Sequence, residues 1–219
     1  MSSSPTAPTS TTSSSNSSPS EVSARVALIA CGAIAQLAAA VVARRAWPID
    51  VHPLPPLLHN HPDRIAGEVR DLAGQLAATH SRVVVGYADC GTYGALDVVC
   101  RDLGLSRLPG LHCYDVYAGT ATLERIFDDQ PGTYLLTDFL ARSFERTVIQ
   151  ELGLDRYPEL RDTYFEHYTR VVWLAQEPDE ELRALAERAA ASIGLPLTVV
   201  ETGDHGLERA LADLVDPRA

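Results

Sequence analysis

Cysteine and histidine side chains stand at three separate points of the chain where a predicted β-strand ends. Cys31 follows the first predicted strand, Cys90 follows the third, and His112 and Cys113 follow a short fourth segment. In an open parallel sheet, the carboxyl ends of the strands share one edge, and ligands bind there. Thiolate and imidazole are the soft ligands that zinc and related transition metals prefer. The pattern therefore predicts that these four side chains hold a metal ion, with Zn²⁺ favoured.

Two of these cysteines are expected to have catalytic reactivity as well. Cys31 and Cys90 each precede a predicted helix, where the positive end of the helix dipole and free N–H groups lower a thiol pKa. A thiolate is the form that binds metal or attacks an electrophile. Cys100 instead lies within an apolar helical stripe, so we expect it to be a buried structural residue.

Six further polar residues near the same edge are candidates for substrate binding. Two histidines lie in the loop after the second strand, two aspartates flank the thiols, and one Thr-Asp pair ends a strand-like segment. Turn formation, helix capping and helix-end electrostatics are structural alternatives for several of them. The candidates are His59, His61, Asp89, Asp115, Thr137 and Asp138.

Strands and helices are predicted to alternate along the chain, which indicates an α/β fold. The expected architecture is a doubly wound, mostly parallel sheet with helices on both faces. Strands are predicted over 25–30, 49–54, 82–87, 106–109, 133–136, 169–174 and 197–201. Helices are predicted over 32–45, 63–80, 92–103, 113 to about 127, 138–152, 158–167, 180–193 and 207–215.

Composition divides the chain into a tail and a single domain. Residues 1–23 are rich in Ser, Thr and Pro and bury too little apolar surface to offset their ordering entropy, so we expect them to be disordered. Residues 24–216 are expected to form one α/β domain. The sequence leaves open whether that domain forms a homo-oligomer.

Charge and motif content exclude several classes of function. The formal net charge is −11, which disfavours a nucleic-acid partner, and all 18 basic residues are Arg. The absence of Lys excludes a Schiff-base or P-loop lysine. The glycine-rich stretch at 86–94 lacks dinucleotide-binding spacing, and no G-x-S-x-G elbow occurs. We therefore expect a small-molecule substrate and no bound nucleotide.

An apolar run at 26–43 raises the alternative of a membrane or lipoprotein segment. The run is mostly Ala, contains Gly32 and Gln36, and has too short an apolar stretch before Cys31 for a signal peptide. A buried strand followed by a buried helix accounts for it better. Four irregularly spaced cysteines without an export signal also indicate a reducing, cytoplasmic location with no membrane contact.

Five short motifs, taken in order, carry a resemblance to a known family. They are ACGA at 30–33, LHNHP at 58–62, YADCG at 87–91, HCYD at 112–115 and GTYLLTDF at 132–139. In this order they resemble the motifs of the DUF1638 family, and the similarity extends from about residue 25 to residue 213.

The resemblance implies a role in one-carbon metabolism. Members of this family often lie beside trimethylamine-type methyltransferases, corrinoid-binding proteins and corrinoid-reactivating proteins. The implied function is corrinoid-dependent methyl transfer from methylated amines or betaines, with the chain as methyltransferase or accessory factor. A corrinoid protein or methyltransferase would be its partner. The segment Asp204-His205-Gly206 lacks the D-x-H-x-x-G spacing of a corrinoid ligand, so cobalamin is expected only through that partner.

Two alternatives remain open from the residues alone. Cys31 and Cys90 could act without metal as an acid–base pair, as in a racemase or isomerase. The chain could also be a non-catalytic module that carries or senses a metal.

Overall fold

The computed structural model describes residues 23–216, in which strands and helices alternate. The strands are β1 (Ser23–Ala30), β2 (Ile49–Pro53), β3 (His80–Gly86), β4 (Ser106–Arg107), β5 (Thr133–Thr137), β6 (Arg170–Ala175) and β7 (Leu197–Glu201). The α-helices are α1 (Ala35–Arg45), α2 (Pro62–Leu76), α3 (Ala95–Leu103), α4 (Cys113–Ala118), α5 (Thr120–Asp129), α6 (Asp138–Phe144), α7 (Leu160–Phe165), α8 (Glu180–Ser192) and α9 (His205–Val215). A 3₁₀ helix, Pro56–Asn60, precedes α2, and a π-helix, Glu145–Gln150, continues α6. The disorder predicted for residues 1–23 falls outside the described residues, except for Ser23, which begins β1.

The predicted α/β fold is confirmed, and its parallel strands divide between two sheets. The first has the order β2-β1-β3-β4 and the second the order β5-β6-β7. β4 contributes only two paired residues, Ser106 and Arg107, opposite Val84 and Val85. Two helices, α4 and α5, follow it before β5. This short edge strand ends the first sheet.

The strand order of the first sheet creates a crevice between β1 and β3. The chain moves from β1 to β2 on one side and then returns to β3 on the other side. Because parallel crossovers are right-handed, α1 and α2 cover opposite faces of the sheet. The connections that follow β1 and β3 therefore diverge at this point, which is where open α/β sheets bind ligands.

The last helix joins the two sheets into one packed structure. α9 follows β7 of the second sheet, yet Leu207, Leu211 and Leu214 belong to the hydrophobic core around the first sheet. Within α9, the Cα of Gly206 lies so close to α4 that an added Cβ would stand 2.2 Å from the Val116 carbonyl oxygen. This contact between helices holds α4, and the residues that begin it, in place.

The second sheet has its own core, centred on Trp173. This side chain is fully buried on β6 and packs among residues of α6, the π-helix and α8. Its indole Nε1 donates a hydrogen bond to Asp138 Oδ1 at 2.8 Å, which ties the start of α6 to β6. α6 and the π-helix are thereby held facing the first sheet's binding edge.

The apolar run at 26–43 is divided between β1, a short turn and α1. Among residues 23–216, no helix has the length and apolar character needed to cross a membrane. The run is therefore accounted for by the core, where Ala27, Leu28 and Ile29 are completely buried.

Gly32 provides a test of how the first sheet positions its loops. A Cβ at this residue would lie 2.5 Å from the Leu54 carbonyl oxygen and 2.6 Å from Pro56 N, so Gly32→Ala must push apart the connections after β1 and β2. We expect a loss of about 1–3 kcal/mol in the free energy of unfolding, measured by urea denaturation. Gly74→Ala is the matched control, because its Cβ meets nothing within 4 Å on α2, and it should stabilise by about 0.5–1 kcal/mol. Equal effects of the two substitutions would contradict this account.

Candidate functional site

The centre of the site is a contact between Cys31 and His59. The Cys31 sulfur lies 2.9 Å from Nε2 of His59, and Cys31 is 1% exposed. Cys31 directly follows β1, and its N–H donates to the Gly86 carbonyl at 3.0 Å. His59 lies in the 3₁₀ helix that follows β2. Between β2 and this helix, the Leu54 N–H donates to the Ala30 carbonyl at 2.9 Å. Backbone hydrogen bonds on both sides thus fix the two side chains together.

Cys90 and Cys113 converge on the same place from β3 and β4. The N–H of Cys90 donates to the Leu111 carbonyl at 2.7 Å, which brings the loop after β3 against the loop that begins α4. The backbone N–H of Cys113 lies close enough to the Cys90 sulfur to lower its pKa, although burial raises that pKa more. The three thiols are near enough that Cys31 and Cys90 each raise the pKa of Cys113.

Cys90 has a strained backbone. Its φ is +50°, in the left-handed region that side chains other than glycine rarely adopt. Such strain persists only where the surrounding structure enforces it, and it concentrates at functional sites. Here the Asp89 carboxylate holds the loop by accepting hydrogen bonds from Thr92 Oγ1 and from the N–H groups of Tyr93 and Gly94.

The prediction that these thiols have lowered pKa values is wrong. Burial raises the pKa of Cys31 to about 11 and that of Cys90 to about 12, and it raises that of Cys113 well above its usual value. Backbone N–H groups of Ala33 and Ile34 do favour the Cys31 thiolate, but removal from water outweighs them. α1 begins four residues after Cys31 and α3 five residues after Cys90, so neither thiol sits at a helix end.

The Cys31–His59 pair is consequently neutral at neutral pH. Burial, followed by the charge of His112, lowers the pKa of His59, while the Cys31 pKa is raised. The sulfur and Nε2 then share one proton, which the thiol or the imidazole donates according to the ring's tautomer. An unprotonated imidazole is also the form that binds a metal.

A cavity of about 400 Å³ opens beside this pair and lies between the two sheets. His59, Cys90, His112 and Cys113 line it from the first sheet, whereas Cys31 is not among its lining residues. The other wall comes from β5, α6 and the π-helix. Among its described lining residues there is no Asp, Glu or Arg; the remaining members are Ala33, Pro56, Leu57, Asn60, Pro62, Gly91, Tyr114, Tyr134, Thr137, Phe139, Leu140, Thr147 and Val148.

The substrate-binding candidates fall into two groups. His59 and Thr137 line the cavity, and Thr137 also caps α6 by accepting a hydrogen bond from the Leu140 N–H. His61 is exposed and does not line the cavity. The three aspartates accept backbone hydrogen bonds that hold loops, as described above for Asp89.

The other two aspartates stabilise the neighbouring turns. The Asp115 carboxylate accepts from the N–H groups of Leu111 and His112, both at 2.9 Å, and so fixes the entry to α4. The Asp138 carboxylate accepts from Gln176 and Glu177 in addition to Trp173. Neither lines the cavity; Asp115 fixes His112, which does, and Asp138 directly precedes Phe139, which also does.

Sequence reasoning missed the wall contributed by the second sheet. Thr147 and Val148 belong to the π-helix, in a segment predicted as continuous α-helix. π-Helical turns are rare and frequently occur at functional sites, but no residue type in the segment signals one. Tyr87 was also missed, although it stands in the same motif as Cys90.

The donor set fits a metal in its chemistry, but its members must rearrange to share one ion. Two ligands of one tetrahedral zinc ion, with Zn–S of about 2.3 Å and Zn–N of about 2.0 Å, stand roughly 3.5 Å apart. The Cys31–His59 separation of 2.9 Å is hydrogen-bonded spacing and must widen slightly. No three of the Cys and His donor atoms in residues 23–216 lie mutually within 4.8 Å of one another.

One compact group of acidic and histidine donors does occur in the part of the chain described. Asp204, His205 and Glu208 lie together on α9. Arg44 binds Asp204 and Glu208 at 2.7 Å each, and Arg45 also pairs with Glu208. These guanidinium groups neutralise the carboxylates, so the group is an ion-pair network between α1 and α9.

Comparison with family models identifies the family of this chain. A model described as a protein of unknown function, DUF1638, matches residues 53–211. The chain belongs to the DUF1638 family. The matched range contains four of the five sequence motifs, and the one at 30–33 precedes it. The search of curated proteins and the search of solved structures each found no match.

The raised thiol pKa values predict how stability depends on pH. An unfolded chain loses the Cys31 proton near pH 9.0, whereas the folded chain keeps it until about pH 11. The free energy of unfolding should therefore fall as pH rises from about 9 to 11, by up to about 1.4 kcal/mol per pH unit for each such thiol. Urea titrations of the metal-free protein should show a shallower fall for Cys31→Ala, with no difference in slope between pH 6 and 8. Identical slopes above pH 9 would contradict the raised pKa.

Proposed function

We propose that this chain holds a transition-metal ion, zinc being the simplest choice, and presents it to a small molecule in the adjoining cavity. The ligands are Cys31, Cys90 and Cys113, together with one imidazole. The observation that carries the proposal is the buried Cys31–His59 contact beside a cavity whose wall includes the other two thiols.

The electrostatics of the thiols support a metal as their partner. Burial raises the pKa of all three thiols, and Cys31 raises those of Cys90 and Cys113 further, so together they are poorly suited to hold three negative charges. A divalent cation reverses this balance because it stabilises each thiolate and displaces its proton. A group of largely buried thiols with raised pKa values is therefore consistent with a metal as their partner.

We assign the imidazole ligand to His59 rather than His112. His59 is already in contact with Cys31 and is held unprotonated by burial. His112 is exposed at the cavity rim, where its N–H is fixed by Asp115. In this position it can contact the bound small molecule or serve as a replaceable ligand.

The proposal extends to methyl transfer, which the family resemblance implies. A bound zinc ion would supply Lewis-acid activation of a thiol or thiolate methyl acceptor. Tyr114, Tyr134 and Phe139 line the cavity, and aromatic rings attract quaternary ammonium groups such as those of methylated amines and betaines without needing a carboxylate. We propose a corrinoid protein as the partner and a reducing compartment, such as the cytoplasm, as the setting that keeps the thiols free.

A metal-free acid–base function is the second candidate. Its support is that the raised pKa values keep Cys31 and Cys90 protonated, ready to act as acids, and that His59 stands ready to accept the Cys31 proton. Against it, Cys90 lines the cavity but Cys31 does not, whereas a racemase needs both groups to face the substrate carbon.

Metal content tests the proposed function. The protein, purified without chelator and analysed by inductively coupled plasma mass spectrometry, should carry about one zinc or other transition-metal ion per chain. Cys31→Ala, Cys90→Ala and Cys113→Ala should each lower occupancy at least about tenfold, because each removes a ligand. Cys100→Ala is the matched control, since Cys100 is buried on α3 away from the cavity, and it should retain the metal.

The outcomes separate the three functions. A metal-free, folded wild-type protein would refute the metal proposal, and turnover by that protein would favour the acid–base pair. A metal-loaded protein that moves no methyl group from a methylated amine to a corrinoid protein would be a non-catalytic metal module. Retention of metal by all three cysteine variants would refute the ligand assignment.

A further inference from the structure

Tyr87 is buried beside the site with a hydroxyl group that has no hydrogen-bond partner of good geometry in the described residues. The side chain is 1% exposed, and its hydroxyl oxygen is sealed from solvent. A phenylalanine would pack the same ring without leaving a buried polar group unsatisfied, which is energetically costly. Packing alone therefore does not explain why this position carries a hydroxyl.

The fold places this side chain against both members of the central pair. Ala30 of β1 is in register with Gly86 of β3, so Cys31 and Tyr87 emerge side by side from neighbouring strands. The hydroxyl lies near the Cys31 sulfur and favours its ionised form. The Tyr87 ring also packs on the His59 ring, with centroids 6.2 Å apart and an angle of 55° between the planes.

We propose that Tyr87 is a positioning residue whose hydroxyl donates a hydrogen bond to the Cys31 sulfur when that sulfur is a metal-bound thiolate. This inference rests on the proposed metal site. In the structure, the Cys31 sulfur and His59 Nε2 share a hydrogen bond of 2.9 Å. Once both atoms turn to a metal, the sulfur loses that partner and gains charge, and the Tyr87 hydroxyl is the side-chain donor beside it, next to the Ala33 and Ile34 N–H groups.

Such a hydrogen bond sets the direction and electron density of the sulfur. A thiolate accepts a hydrogen bond more strongly than a thiol does, because it carries the full negative charge. Donors around a metal's ligands orient them, and their loss commonly weakens metal binding 10–100-fold. A metal-bound thiolate would thus give the buried Tyr87 hydroxyl the acceptor that it otherwise lacks.

The test compares Tyr87→Phe with the wild type in the full chain, using Co²⁺ as a spectroscopic probe. We expect Tyr87→Phe to bind Co²⁺ about 10–100-fold more weakly. We also expect its sulfur-to-cobalt charge-transfer band to move to lower energy, because the sulfur loses a donor. Without metal, the variant should unfold at an equal or higher urea concentration. Tyr157→Phe is the control, since Tyr157 is exposed and does not line the cavity, and it should change none of these values.

The wild type provides a second measurement that does not depend on the variant's folding. Its Tyr87 hydroxyl proton should give a downfield-shifted, slowly exchanging NMR signal on loading with diamagnetic Zn²⁺. Unchanged affinity and band energy in Tyr87→Phe, or no shift of that proton, would overturn the positioning role while leaving the metal site intact. Failure of the wild type to bind Co²⁺ or Zn²⁺ would overturn the metal site and this inference together.

Discussion

The contact between the Cys31 sulfur and the His59 ring constrains the rest of the site. Both groups are polar; Cys31 is buried and His59 is half-buried at the edge of a sheet. Their contact offsets part of the cost of this burial, since an unpaired buried polar group is costly. The β1–α1 connection and the 3₁₀ helix after β2 must therefore stay close together. Gly32 permits this because it has no Cβ, so the two backbone segments can approach each other closely.

The other features of the site add two thiols and a cavity to this pair. The left-handed backbone of Cys90 and the capping of α4 by Asp115 bring the thiols of Cys90 and Cys113 to the same point. The backbone strain at Cys90 is part of what brings these thiols together. The second sheet closes the cavity with Tyr134, Phe139 and the π-helix. A wall without charged groups, in which aromatic and aliphatic side chains predominate, lowers the local dielectric and strengthens the electrostatic interactions made at the thiols.

The sequence predicted the fold and the convergence of cysteines because both follow from strand order. Hydrophobic periodicity locates β1 and β3, and parallel topology then sends Cys31 and Cys90 to one edge. Three features depend on tertiary contacts that no local pattern encodes: the pairing of His59 with Cys31, the split into two sheets, and the π-helix. The thiol pKa values were mispredicted because burial, which depends on the whole fold, outweighs helix-end effects.

X-ray absorption spectroscopy of the zinc-loaded protein tests the central claim most directly, because it reports the atoms bound to the metal. The account predicts a mixed first shell, with sulfur at about 2.3 Å and one imidazole nitrogen at about 2.0 Å. In His59→Ala the imidazole contribution should disappear while the sulfur contribution remains. A first shell of oxygen and nitrogen alone, or an imidazole signal unchanged in His59→Ala, would contradict a centre built on Cys31 and His59.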